Sequence, residues 1–122
     1  MSRRRIPDDE GMQAVESWRS DRESATAEVF ATAVRYRLQC VRVEAPGRSV
    51  ELRVPPFGAV QIVEGSSHTR GTPPAVVEID PQSWLELCEG LTTWAELVET
   101  GHLSASGERS DIRVLFPLRG LG

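Results

Sequence analysis

The longest amphipathic stretch of the chain runs from Thr26 to Glu44. Its apolar positions are spaced four, three, four and three residues apart: Val29, Ala33, Tyr36, Cys40 and Val43. This spacing follows the turn of an α-helix and predicts one helix over the whole stretch. Further apolar residues widen the face, so we expect a sheet or other helices to cover it. Pro46 and Gly47 are expected to end the helix.

Three later stretches have the pattern of β-strands. Between Ser49 and Val54 every second residue is apolar, which predicts a strand with one buried face. Residues 59–63 and 75–79 predict a second and a third strand. The connection between the first two contains prolines and a glycine, so we expect more than a two-residue hairpin turn.

Two short helices are expected after the third strand. Asp80 can accept hydrogen bonds from the free N–H groups of the first turn, and Pro81 suits the first helical position. The second helix begins at Thr93, which is expected to form a capping box with Glu96. A glycine, the usual stop signal, ends each helix.

The two ends of the chain carry weaker patterns. Residues 1–24 are expected to form a tail and a short helix whose apolar side includes Trp18. Residues 102–106 predict a short strand. Ser110 to Phe116 predict a final helical segment, which Pro117 stops.

The order of these elements predicts an α+β fold. We expect a mixed or antiparallel sheet of four to five strands, covered by helices on one side. The length suits one domain over residues 1–122, with its core in residues 25–118.

The charge balance excludes some classes of function. The net charge is −4, and the basic run of Arg3, Arg4 and Arg5 is followed by three acidic residues, which argues against nucleic acid as a partner. No apolar stretch approaches the roughly 20 residues of a membrane span, and the first residues lack the apolar region typical of a signal peptide. We therefore expect a cytoplasmic protein without stable membrane insertion. There, Cys40 and Cys88 should be buried free thiols.

Catalytic and metal-binding patterns are missing from the sequence. Two His and two Cys residues without close pair spacing do not make a zinc site. Nucleophile-elbow and phosphate-loop motifs are also absent. We expect no metal, no cofactor and no catalytic residue.

The loop after the second strand contains the more informative histidine, His68. One interpretation is that it fixes the loop through backbone hydrogen bonds. The other is that His68 and Arg70 join Glu64 or Glu78 in a polar rim beside an apolar cavity. Arg70 could then bind a carboxylate or phosphate with its planar guanidinium.

Several motifs resemble actinobacterial sterol-carrier-family proteins, within the sterol carrier protein 2-like superfamily. The central motif is Pro55 to Gln61, followed by His68 to Pro74 and Val76 to Glu78. The second half adds Trp84-Leu85, Gly90, Thr93-Trp94, Gly101 and Leu103 to Gly107. The resemblance covers roughly residues 25–118.

The resemblance implies a sheet of typically five strands, with an apolar cavity between sheet and helices. Classical members bind fatty acids, acyl-CoAs or sterols. For this chain it implies intracellular binding of a lipid, fatty acyl or sterol-like molecule without catalysis. The candidate lining residues are Val29, Ala33, Tyr36, Trp84 and Trp94. Classical members close the pocket with an apolar C-terminal helix. In this sequence only Leu115, Phe116 and Leu118 correspond to it.

A second hypothesis stays open. Similar domains are appended to mycothiol-dependent maleylpyruvate isomerases, so the chain could be an accessory protein-interaction module. Trp84 and Trp94 would then be core aromatics, and an exposed apolar patch would serve a protein partner. Under either hypothesis we expect a monomer or a weak dimer.

Overall fold

The computed structural model describes residues 4–65 and 75–119 of the chain. The helices are α1 (Asp8–Ser20), α2 (Ala27–Glu44), α3 (Pro81–Cys88) and α4 (Trp94–Glu99). The strands are β1 (Pro46–Val54), β2 (Gly58–Ile62), β3 (Ala75–Ile79) and β4 (Leu103–Ser106). A single 3₁₀ turn, Arg113–Leu115, follows β4.

The four strands form one mixed sheet in the order β2-β1-β3-β4. β1 runs antiparallel to β2 and parallel to β3, while β3 runs antiparallel to β4. The segment containing α3 and α4 connects β3 to β4. The predicted α+β class is therefore confirmed, with four strands in the part of the chain that is described.

One face of the sheet is buried and the other is not. Alternate residues of β1 and β3 are covered, and α2 packs on both β1 and β2. The opposite face carries charged side chains. There Arg53 Nε lies 3.9 Å from Glu78 Oε1, and both side chains are half-exposed.

The predicted starts of α2 and α3 are confirmed. The Thr26 hydroxyl and the Asp80 carboxylate each accept a hydrogen bond from the backbone N–H three residues on, at 3.1 and 3.0 Å. These bonds satisfy donors that a helix leaves free at its first turn. They fix where α2 and α3 leave the preceding chain.

The predicted capping box of α4 forms only in part. Thr93 Oγ1 accepts a hydrogen bond from the Glu96 backbone N–H at 3.2 Å. The Glu96 carboxylate accepts instead from the Thr92 hydroxyl at 3.0 Å. A neighbouring hydroxyl thus takes the place of the expected backbone partner.

The beginning of β1 differs from the prediction. The strand begins at Pro46 rather than Ser49, directly after α2 ends at Glu44. Pro46 and Val50 both lie opposite Ile62, so residues 47–49 bulge out of the ladder. The alternating pattern predicted only the regular part of the strand.

The helical segment predicted over Ser110 to Phe116 forms only in part. Only the 3₁₀ turn forms there. The Asp111 carboxylate accepts hydrogen bonds from the backbone N–H and the Nε of Arg113, at 3.2 and 2.9 Å, which holds a local turn. Pro117 then prevents helical continuation.

Polar contacts fasten α1 to α2. The Tyr36 hydroxyl donates to Asp8 Oδ1 at 2.9 Å, and the Tyr36 ring lies where a Cβ of Gly11 would be. The Gln39 side chain also binds both the N–H and the carbonyl of Ile6, at 3.0 and 2.9 Å. Tyr36 is fully buried as a result.

Candidate functional site

Three aromatic side chains, Trp84, Phe116 and Trp94, pack together at the end of the helical layer formed by α3 and α4. We call them the aromatic cluster. The Phe116 ring centroid lies 5.7 Å from that of Trp84, nearly perpendicular to it, and 6.4 Å from that of Trp94, stacked on it. Both tryptophans are buried, while Phe116 is half-buried. Phe116 therefore contacts both tryptophans and is the more accessible member.

Trp84 is the fixed member of the cluster. It lies in the first turn of α3, whose start is set by the Asp80 cap. Its ring Nε1 donates to the Val34 carbonyl of α2 at 3.2 Å, and its side chain is fully buried. A buried indole with its N–H satisfied contributes a large apolar surface in one orientation.

Residues 112–118, here the C-terminal segment, bring Phe116 to the tryptophans. Ile112 and Leu118 are buried at its two ends. Outside its own 3₁₀ turn, the described backbone bond of the segment is Leu118 N to the Cys88 carbonyl, 2.9 Å. Side-chain packing rather than a hydrogen-bond ladder holds this segment in place.

Among residues 4–65 and 75–119, four large apolar side chains are exposed; one of them, Val43, lies near the end of α2, and the other three follow β3 in the chain. Val114 is 88% exposed, and Leu91 and Val98 are more than two-fifths exposed. They belong to the C-terminal segment, the loop before α4, and α4 itself. Val98 lies one turn after Trp94 on the same side of α4.

The structure brings together only part of the predicted lining. Trp84 and Trp94 meet through Phe116, whose place between them depends on tertiary packing. Ala33 is buried and Val29 half-buried on α2, while Tyr36 packs against α1. The lining role of these residues stays a prediction.

The predicted polar rim is only partly within the described residues. His68 and Arg70 lie outside them. Glu64 is exposed after β2, and Glu78 lies on the charged face of the sheet beside Arg53. Neither glutamate is part of the aromatic cluster.

Near Glu78, a carboxylate–imidazole pair lines a surface groove of about 360 Å³. His102 Nδ1 lies 2.8 Å from Asp80 Oδ2, which also accepts from the buried Ser83 hydroxyl at 2.8 Å. Partial burial opposes ionisation of Asp80, but the bonds from Ser83 and His102 outweigh it and lower its pKa. Because Ser83 is committed to Asp80, it is not poised as a nucleophile for His102.

The sequence did not predict a buried ion pair between α2 and α3. Arg37 Nε donates to Glu89 Oε2 at 2.7 Å, and both side chains are at most 5% exposed. Arg19 of α1 lies 3.8 Å from the other oxygen of Glu89. Burial opposes the charge of Arg37, but hydrogen bonding and the charge of Glu89 raise its pKa.

The two cysteines lie beside this ion pair. Both are buried and free, as predicted. Arg37 Nη1 contacts Cys40 Sγ at 3.7 Å. Burial raises the pKa of the Cys88 thiol well above its usual range, against a smaller opposite effect of Arg37. A buried neutral thiol of this kind is a poor nucleophile.

Comparison with known proteins identifies the family. Over the described residues, no helix is both long enough and apolar enough to cross a membrane. No curated protein matches the chain. A family model described as bacterial SCP ortholog matches residues 26–118, about three-quarters of the sequence. The match begins at the cap of α2 and includes the whole sheet and the aromatic cluster. The chain belongs to this bacterial sterol-carrier family.

Proposed function

We propose that the protein binds an apolar small molecule, such as a lipid, a fatty acyl compound or a sterol-like compound, and holds it without transforming it. Membership of a carrier family supports this role. One observation supports a site at the aromatic cluster: half-buried Phe116 packs against two buried tryptophans, on a segment with few backbone bonds to the other described residues.

In this proposal the ligand takes the place of the Phe116 ring. When the C-terminal segment moves away, an apolar ligand between Trp84 and Trp94 packs against the two indoles as the phenyl ring did. Burying an acyl chain contributes about 0.8 kcal/mol per CH₂ group, which must exceed the cost of association and of moving the segment. A chain of roughly ten carbons contributes about 8 kcal/mol before these costs, so micromolar affinity requires a longer chain or further contacts.

The groups elsewhere in the molecule support a non-catalytic role. The raised pKa of Cys88 keeps its thiol neutral, and the Ser83 hydroxyl is bound to Asp80. Both observations weaken the case for covalent catalysis by these side chains. The family is in general one of non-catalytic carriers.

Native mass spectrometry of the purified protein, with organic extraction of any adduct, tests the proposal. We expect a stoichiometric apolar adduct, or one formed on incubation with fatty acids, acyl-CoAs or isoprenoids. Phe116→Ala should raise the affinity for that ligand at least about fivefold, because it removes the ring that competes with the ligand for the site.

Phe30→Ala is the matched control. Phe30 is also half-buried and packs edge-on against one aromatic ring, Phe57, at 5.6 Å. It should leave the affinity unchanged. A protein that stays free of adducts with all three ligand classes would contradict the proposal. Equal effects of the two substitutions would place the ligand elsewhere.

The exposed apolar residues favour a second candidate, the accessory interaction module. Val114, Leu91 and Val98 present apolar surface that a protein partner could cover. In that case Val114→Asp would abolish association with the partner. Phe116→Ala would have no effect on small-molecule binding. Co-purification of the wild type and the Val114→Asp variant from the native host distinguishes the two functions.

A further inference from the structure

A second groove, of about 450 Å³, lies between the end of α2, the start of β1 and the strand β2. The lining residues with polar side chains are Arg42, Arg48 and Gln61, and the apolar lining residues include Pro46, Ala59 and Val60. Its described lining includes no carboxylate. Three side chains that donate hydrogen bonds therefore surround a concave, partly apolar surface.

The bulge of β1 shapes this groove. Residues 47–49 leave the ladder opposite Ile62, and Arg48, within this bulge, lines the groove together with Arg42. Gly47 permits the bulge, because its φ is +152° and a Cβ there would overlap the backbone of Val63. Bulges often redirect a side chain toward a site in this way.

Two arginines of α2 carry positive charge that no carboxylate within residues 4–65 and 75–119 neutralises. Arg42 forms no ion pair with any of these described carboxylates. The same is true of Arg35, two turns earlier, whose Nε is buried without a hydrogen-bond partner and whose guanidinium lies over Phe57 at 5.8 Å. The two arginines lie two turns apart on α2.

We propose that this groove binds the phosphate group of a small organic phosphate monoester. Arg42 and Arg48 contact the phosphate oxygens from two sides, and Gln61 donates a further hydrogen bond. Two guanidiniums suit a group with close to two negative charges better than a singly charged carboxylate. Ala59 and Val60 contact the organic part of the ligand.

This inference does not rest on the proposed carrier function. Arg42 lies eight residues along α2 from Val34, the residue that binds Trp84, which is about 12 Å along the helix axis. Substitutions can therefore disrupt the aromatic cluster and the groove separately.

Chemical-shift mapping of backbone amides during titration with phenyl phosphate tests the inference. We expect saturable shifts at residues 42–48 and 59–61, with a dissociation constant below about 1 mM. Arg42→Gln should weaken binding at least about tenfold, because it removes charge-assisted hydrogen bonds. Arg119→Gln, which removes the same charge from another exposed position, is the control and should leave the affinity unchanged.

Titration with inorganic phosphate and with benzoate identifies the part of the ligand that is bound. Weaker binding of inorganic phosphate supports contact of the organic part with Val60, and equal binding overturns that contact. Benzoate binding as tight as phenyl phosphate overturns the preference for phosphate. Shifts that do not saturate, or equal weakening by Arg42→Gln and Arg119→Gln, overturn the site. Fatty-acid binding at the aromatic cluster, followed in the same samples, is expected to survive Arg42→Gln.

Discussion

The contacts that fasten α1 and α3 to α2 differ in kind from those that hold the C-terminal segment. The first region is held by directional polar contacts, namely the Tyr36–Asp8 hydrogen bond and the buried Arg37–Glu89 pair. The second is held by the apolar packing of Ile112, Phe116 and Leu118 and, among residues 4–65 and 75–119, by one backbone bond to Cys88 outside its own turn. Directional buried contacts permit one arrangement, whereas an apolar ring can be replaced by any apolar group of similar shape. We therefore expect the aromatic cluster, rather than the contacts of α1 and α3 with α2, to accept another apolar group.

Glu89→Gln should have the largest effect, and it tests the polar side of this comparison. It removes the carboxylate charge that lies 2.7 Å from the buried Arg37 Nε, so we expect a loss of about 3–5 kcal/mol in the free energy of unfolding. Urea denaturation measures it. Glu86→Gln is the control, since Glu86 pairs with Arg22 in a more exposed setting and should cost at most about 1 kcal/mol. Equal costs would mean that the buried pair does not fix α3.

Gly11→Ala tests the packing of α1 on α2. The new Cβ would overlap the Tyr36 ring, which is fully buried and cannot move without losing its bond to Asp8. We expect a loss of about 3 kcal/mol, despite the better helix propensity of alanine. Thermal unfolding measures it, with Gln13→Ala on the exposed side of α1 expected to be nearly neutral. A stabilised Gly11→Ala variant would contradict the close contact.

Phe116→Ala tests the adaptable side. Phe116 is half-buried, so we expect a cost of about 2 kcal/mol, less than for a fully buried phenylalanine. Hydrogen exchange should become faster at the Leu118 amide while the amides of α2 remain protected. Val114→Ser, at an 88% exposed position of the same segment, should change stability by less than about 0.5 kcal/mol. Equal loosening of α2 would show that the two regions unfold together.

Asp80 gives the smallest effect and a pH dependence. Because its pKa is lowered in the folded protein, its stabilising contribution is present above the unfolded value of about 3.9 and is lost as the pH falls through the folded pKa. Asp80→Ala should cost about 1 kcal/mol near pH 7. Asp80→Asn keeps a capping oxygen, so it should cost less but flatten the stability curve below about pH 4. Parallel acid-unfolding curves for the wild type and Asp80→Asn would contradict this role.

The elements with local signals could be predicted from the sequence. Helical spacing of apolar residues marked α2, the capping chemistry of Asp80 marked the start of α3, and alternation marked the regular part of β1. The Arg37–Glu89 pair could not be predicted, because it joins residues 52 positions apart and neither carries a local sign of burial. The prediction for residues 110–116 was only partly confirmed, because of a local interaction rather than a distant one. Asp111 makes a local turn that competes with the helical pattern.

The same limits apply to the candidate site. From the sequence, Trp84 and Trp94 could be core aromatics or could line a pocket, and the structure brings them to a shared partner. The sequence could not identify Phe116 as that partner, because its contacts with Trp84 and Trp94 depend on the tertiary position of the C-terminal segment. The groove beside Arg42 depends on a bulge that the alternating pattern does not show.

The parallel pairing of β1 with β3 has a consequence for the order of folding. β1 and β2 are joined by three residues, so their antiparallel hairpin can form within microseconds. β3 pairs its residues 75–78 with residues 50–53 of β1, which requires a much longer loop to close first. We therefore expect substitutions in the β1–β2 hairpin to slow folding, and those in β4, which adds to the sheet only after β3, mainly to accelerate unfolding.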